Sequence, residues 1–157
     1  MGIEIVTGNV LDTTSEAILL TIDGAKRGME GNIARQFAKR FTDDWLDMQR
    51  VLKYPVPIGR TVVLPWDGDC PWRYILFAST LHHLDVLDDQ QKLRVVHLAL
   101  AEALQHCVRL HIKSLASAVL QCGWRLNFAD ALAQMQQTYQ SVRCSQVHLY
   151  VCKPENA

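Results

Sequence analysis

The sequence predicts an α/β domain, a central sheet covered by helices on both faces. Three observations carry this reading. Strand-like and helix-like segments alternate along the chain. Ala17-Ile-Leu-Leu-Thr-Ile22 is a nearly continuous apolar run bounded by polar residues, the mark of a strand buried on both faces. Leu93, Val96, Leu100, Ala103 and Cys107 recur at three- and four-residue spacing, giving one long amphipathic helix from Asp89 to His111.

The other elements follow in chain order. Ile3-Glu-Ile-Val-Thr-Gly8 reads as a first strand ending in glycine, and Ala17–Ile22 is the second. Ile33, Phe37 and Phe41 stand four apart and define one helix face. A second helix is expected from Thr42 as N-cap, with Trp45, Met48 and Leu52 inward and Pro55 and Pro57 stopping it. Thr61–Pro65 and Arg73–Ala78 read as strands joined by the turn-rich Asp67-Gly-Asp-Cys-Pro71. Ser117-Ala-Val-Leu120 is expected as a fifth strand. Asn127 caps a last helix with Phe128, Leu132, Met135 and Tyr139 inward. In the final strand Val147, Leu149 and Val151 alternate with His148, Tyr150 and Cys152.

Composition narrows the function. At 157 residues, the expectation is a single domain spanning 1–157. Such a chain buries roughly 70% of its unfolded surface, so it needs no disulfide or metal staple. Sixteen Lys and Arg balance sixteen Asp and Glu, which leaves no strong nucleic-acid signal. No apolar run reaches the ~18–20 residues of a membrane helix, and the N-terminus lacks a signal-like core. Five cysteines, an odd number without C-x-x-C, argue against a disulfide framework and a zinc knuckle. Reduced thiols and a cytoplasmic location are the expectation. The histidines show no metal-site spacing, and His82 and His83, adjacent on an extended segment, point to opposite faces. No metal and no cofactor are expected.

In α/β sheets ligands sit outside the carboxyl ends of the strands. Three loops there are candidates. Gly8-Asn9-Val10 follows the first strand, and its glycine permits close backbone approach. Asp23 to Ile33 carries three further glycines into a helix, where Gly31, Asn32 and Ile33 can offer N–H groups to a phosphate and Lys26 and Arg27 add charge. Glu30 in that loop opposes a tight phosphate cradle. Gln121-Cys-Gly-Trp-Arg125 offers Gly123 for close approach, Trp124 for stacking and Arg125 for charge. Cys122 has no partnered base and reads as an inert thiol.

At these loops the sequence resembles the macro domains, α/β/α modules that bind ADP-ribose. The resemblance runs from about Ile3 to Val151. Ile5-Val-Thr-Gly-Asn-Val10 is similar to the family's opening strand, which ends in Gly-Asp-Ile/Leu. Glu16–Asp23 resembles the strand that ends in Asn-Ala-Ala-Asn. Met29 to Phe41 resembles the Gly-rich loop and first helix, with Met29, Ile33, Ala34, Phe37, Lys39 and Phe41 closest to the branch that removes terminal ADP-ribose. Ala118–Trp124 falls at the second phosphate loop. The resemblance implies a three-layer macro-like fold with a central mixed sheet. It places Asn9 and Val10 at the adenine, Asp23 near the distal ribose, and Gly31-Asn32-Ile33 with Cys122-Gly123-Trp124 at the phosphates.

Departures from the pattern set the expected activity. Asn9 replaces an adenine-contacting Asp, and Asp23 replaces a ribose-side Asn. The branch's nucleophilic Lys and assisting Asp fall in Ser79-Thr-Leu-His-His83 and Gly123-Trp-Arg-Leu-Asn127, which contain neither a Lys nor a carboxylate. Losing either should cost orders of magnitude in rate. The expected function is therefore binding of ADP-ribose or a related nucleotide derivative, free or on an ADP-ribosylated macromolecule, without efficient catalysis. Two alternatives stay open: an ADP-ribosyl glycohydrolase with Asp23 as general base, and a degenerate macro fold serving as a protein-interaction module.

Overall fold

The computed structural model describes residues 2–28, 31–123 and 125–155. Its centre is the strand that the apolar run announced, β2 (Ala17–Asp23), paired in parallel with β4 (Tyr74–Leu81) on one side and β5 (Ser114–Ala118) on the other. β1 (Ile3–Thr7) and β6 (His148–Lys153) extend the sheet in parallel beyond β5. β3 (Thr61–Pro65) closes the far edge antiparallel to β4. The six-stranded order is β1-β6-β5-β2-β4-β3, a mixed sheet.

Strand alternation sorts the apolar side chains into two cores. Ile18, Leu20 and Ile22 of β2, with Ile75 and Phe77 of β4, face α1 (Asn32–Arg40) and α2 (Thr42–Val51). Phe37, Met48 and Trp72 are fully buried there, and Phe37 touches the rings of Phe41, Trp45 and Trp72. Ala17, Leu19, Leu76 and Ala78 face the other way, toward α3 (Asp89–Arg109) and α4 (Phe128–Ser141). The expected three layers are therefore present. Truncating a side chain such as Phe37 to alanine should cost about 3–5 kcal/mol, the transfer loss plus a cavity.

Local chemistry explains most element ends. Asp88 and Gln91 form a reciprocal capping box at the start of α3. Asn127 caps α4, its Oδ1 accepting from the N–H groups of Ala129 and Asp130. Asp44, in the first turn of α2, accepts from the N–H groups of Cys70 at 2.7 Å and Asp69 at 3.2 Å, pinning the β3–β4 turn to that helix. Burial works to raise the Asp44 carboxyl's pKa. The donors from Cys70, Trp66 and Asp69 outweigh it and hold the group below the ordinary carboxylate range.

Three sequence expectations need correction. The fifth strand is Ser114–Ala118, not Ser117–Leu120, because Leu115, Ala116 and Ser117 hold the register with Ala17–Leu19 while Val119 and Leu120 leave the sheet. Thr42 is not an N-cap. It is the first residue of α2, its hydroxyl donating back to the Ala38 carbonyl at 2.9 Å, and the cap position is Phe41. On α4 the buried positions are Ala131, Met135, Thr138 and Tyr139, whereas Phe128 and Leu132 are half-buried.

All five cysteines are free and buried, in both cores. Among the described residues no helix is long and apolar enough to cross a membrane.

Candidate functional site

The five parallel strands β1, β6, β5, β2 and β4 all deliver their carboxyl ends to one cleft of about 940 Å³. This is the upper end of the range for small-molecule sites. One wall is formed by Gly8, Asn9 and Val10 after β1 and by Cys152, Pro154 and Glu155 at the end of β6. Thr21, Ile22 and Asp23, at the end of β2, lead into a second wall of Gly28, Gly31, Asn32 and Ile33. Leu120 to Gly123, after β5, face it.

The two candidate phosphate loops carry the right backbone features. Gly31 is the N-cap of α1 and supplies no side-chain cap, and no acid stands in the first turn. The first N–H groups of α1 lack an intrahelical partner by construction and open on the cleft. With the helix dipole they favour an anion by about 0.3–1 kcal/mol at an exposed end. Across the cleft, Gly123 has φ +72° and Cys122 φ +51°, two consecutive residues in the left-handed region. That turns the backbone sharply after Leu120, the kind of turn that exposes N–H groups. A Cβ on Gly123 would stand 3.3 Å from Leu81 Cδ2.

The other predicted residues divide. Arg125 is exposed and borders a small neighbouring recess with Lys92, His82 and Asp85 instead of the cleft. Lys26 and Arg27 do not line the cleft; Arg27 donates to the Leu52 carbonyl at 2.9 Å and stacks on Tyr54. Met29, Glu30 and Trp124 lie outside the described residues. The Cys122 thiol lies 3.7 Å from the Lys92 carbonyl, and burial pushes its pKa up to about 11, the condition of an unreactive thiol. Gly24 serves packing, since a Cβ there would collide with Ser79 and the Val56 carbonyl.

Asp23 is closed in. Its side chain is 1% exposed. Oδ1 accepts from the Ala25 N–H at 2.9 Å, and Oδ2 accepts from both the backbone N–H and the ring Nδ1 of His83, each at 2.9 Å. A carboxylate only accepts, so the His83 proton sits on Nδ1. The pair clamps the loop after β2 to the loop after β4. Sequence reasoning missed it, because the partners stand 60 residues apart with no spacing signal.

Asn9 is also held. Its Oδ1 accepts from the Leu11 N–H at 2.9 Å, and its Nδ2 donates to Gln36 Oε1 at 3.0 Å. Gln36, another cleft residue absent from the sequence reading, follows Asn32 by one helical turn on α1. The helix phase contained that signal, because positions 32 and 36 share a face.

No protein-family model and no curated protein sequence matches the chain. Solved structures do. The macrodomain of Thermus aquaticus DarG superposes with TM-score 0.73 at 23% identity, over 97% of this chain and 98% of that one. A variant of the Oceanobacillus iheyensis macrodomain with ADPR gives 0.78 at 14% identity, over 96% and 83%. Thermosipho africanus DarTG in complex with ADP-ribose gives 0.75 at 13% identity, over 99% of this chain and 42% of that one. The chain has the macrodomain fold.

Proposed function

We propose that the chain is a divergent macro domain, one module over 1–157, whose cleft binds ADP-ribose or a related nucleotide derivative without efficient turnover. The observation that carries this reading is the uncapped N-terminus of α1 opening on the cleft opposite the left-handed Cys122–Gly123 turn. Two sets of backbone donors facing each other across a groove suit a diphosphate. Groove walls of mixed apolar and polar residues suit the nucleoside and sugar on either side. Structural neighbours described with ADPR or ADP-ribose support the ligand class. An ADP-ribosylated macromolecule in the cytoplasm is the wider partner this reading implies.

The expectation of little turnover rests on Asp23. With three donors on its two oxygens and a side chain only 1% exposed, the carboxylate is engaged as a structural acceptor and is poorly placed to take a proton from water. This argues against the glycohydrolase alternative through Asp23. The open cleft argues against a degenerate interaction module, in which side chains would fill it.

Calorimetric titration tests the proposal. ADP-ribose should bind with roughly −5 to −8 kcal/mol, micromolar to sub-millimolar. Incubation with ADP-ribosylated protein should release no ADP-ribose above background. Absence of heat at millimolar ligand would sink the binding reading, and release by the parent protein would sink the non-catalytic part.

A further inference from the structure

The two edges of the sheet are finished differently. At the β3 edge the Ser79 N–H donates to the Arg60 carbonyl at 2.9 Å, so Arg60 faces β4, while Thr61, Val63 and Pro65 turn their backbone groups outward. Helix α3 blunts that side. The outward Thr61 N–H donates to Glu102 Oε1 at 2.6 Å, the Thr61 carbonyl accepts from His106 Nε2 at 2.9 Å, and Pro65 has no N–H to offer.

The β1 edge has no such cover. The Leu149 N–H donates to the Gly2 carbonyl at 3.0 Å, and the Gly8 N–H donates to the Lys153 carbonyl at 2.9 Å, so Gly2, Glu4, Val6 and Gly8 face β6. Ile3, Ile5 and Thr7 therefore turn their N–H and C=O groups away from the sheet, and no group among the described residues bonds to them. Glu4, Ile5 and Thr7 are exposed, so neither helix layer overhangs the strand. An edge charge can repel a second strand. Here the one charge, Glu4, leans back over β6, its Oε1 3.1 Å from His148 Nε2. Ile5, a large apolar side chain in the middle of the strand, stands 38% exposed beside the open backbone.

We propose that the β1 edge takes a second copy of this chain, the two β1 strands pairing antiparallel about a two-fold axis at Ile5 and joining two six-stranded sheets into one. A two-fold interface must be self-complementary, and this strand is. Ile5 falls opposite the same residue of the other copy, and Ile3 falls opposite Thr7. All three have their backbone groups turned outward, so each facing pair exchanges both of its hydrogen bonds. Apolar Ile5 meets its copy on one face, and Glu4 meets Val6 on the other, so no like charges are opposed. Antiparallel pairing sends the two clefts to opposite ends of the joined sheet. The pairing is independent of what the clefts bind.

Sedimentation equilibrium from about 10 µM to 1 mM tests it. One strand is a small interface, so the dimer should be weak, with a Kd on the order of 100 µM, and the mean mass should climb from one chain toward two. Ile5→Lys sets two ammonium groups face to face on the axis, and Ile5→Glu sets two carboxylates there. Each variant alone should weaken association about tenfold or more, whereas an equimolar mixture of the two should associate at least as well as the parent. Ile5→Pro removes an N–H that β6 does not use, so it should fold and stay monomeric. Thermal melts confirm that each variant folds. A parent that stays monomeric to about 1 mM would overturn the pairing. So would a dimer indifferent to Ile5→Lys, or a mixture of the two charged variants that stays apart.

Discussion

Replacing Asp23 with asparagine removes one atom's worth of chemistry and should destabilise the whole domain. The carboxylate faces three donors: the N–H of Ala25 on Oδ1, and the N–H and Nδ1 of His83 on Oδ2. An asparagine can point its oxygen at only one side. Toward His83, it turns its NH₂ on the Ala25 N–H; toward Ala25, it turns its NH₂ on the His83 N–H. The imidazole could adapt by moving its proton to Nε2, but a backbone N–H cannot. Either way one partly buried N–H is left facing another donor, at about 1–3 kcal/mol. The surviving bonds also lose their charge, which is worth about 1 kcal/mol more. The expected loss is about 2–4 kcal/mol, or roughly 5–15 °C in Tm for a chain of this length. Urea denaturation at pH 7 reads it as a lower midpoint at unchanged slope. Asp23→Asn with the parent's midpoint would refute the clamp. So would a variant of parental stability that bound ADP-ribose more tightly, because that would return the carboxylate to the ligand.

Two further outcomes follow from geometry already described. Gly123→Val should abolish ADP-ribose binding, while Gly123→Asn, whose side chain tolerates a φ of +72°, should keep more of it; calorimetry on both separates backbone conformation from mere bulk, and parental affinity in Gly123→Val would misplace the second phosphate loop. Asp44, held below the ordinary carboxylate range, contributes stability above about pH 4 that is lost as pH falls through its folded value. Asp44→Asn should therefore lower the urea midpoint at pH 7 and shrink the gap to the parent near pH 2–3; parallel acid limbs in the two proteins would exclude this role.

Several elements were legible because one local signal decided each. Ala17–Ile22 has Thr21 as its one polar position, too little to suggest an exposed face, and it lies in the central strand. Asn127 stood alone before an apolar repeat and caps α4. The fifth strand was misplaced because Leu115 to Leu120 offers no internal boundary; only the register with Ala17 to Leu19 selects its first half. The cleft's loops were legible from glycines at strand ends, and Gly8, Gly31 and Gly123 all line it. The clamp between Asp23 and His83 was not legible. It exists because β2 and β4 are neighbours in the sheet, a fact of topology no spacing in the chain encodes.

The five cysteines are distributed so that they can serve as reporters of motion. Cys70 and Cys152 lie in the core under α1 and α2, and Cys107, Cys122 and Cys144 in the core under α3 and α4. Burial raises every one of these thiols, Cys107 to about 12, so in the closed fold each is both hidden and protonated. Reaction with a thiol reagent must wait for an opening that admits both water and reagent. The rate at each sulfur then measures how often its own layer comes apart. A ligand that bridges α1 to the Cys122–Gly123 turn would slow the clock at Cys122 first, making the native chain its own sensor of cleft occupancy without any added label site.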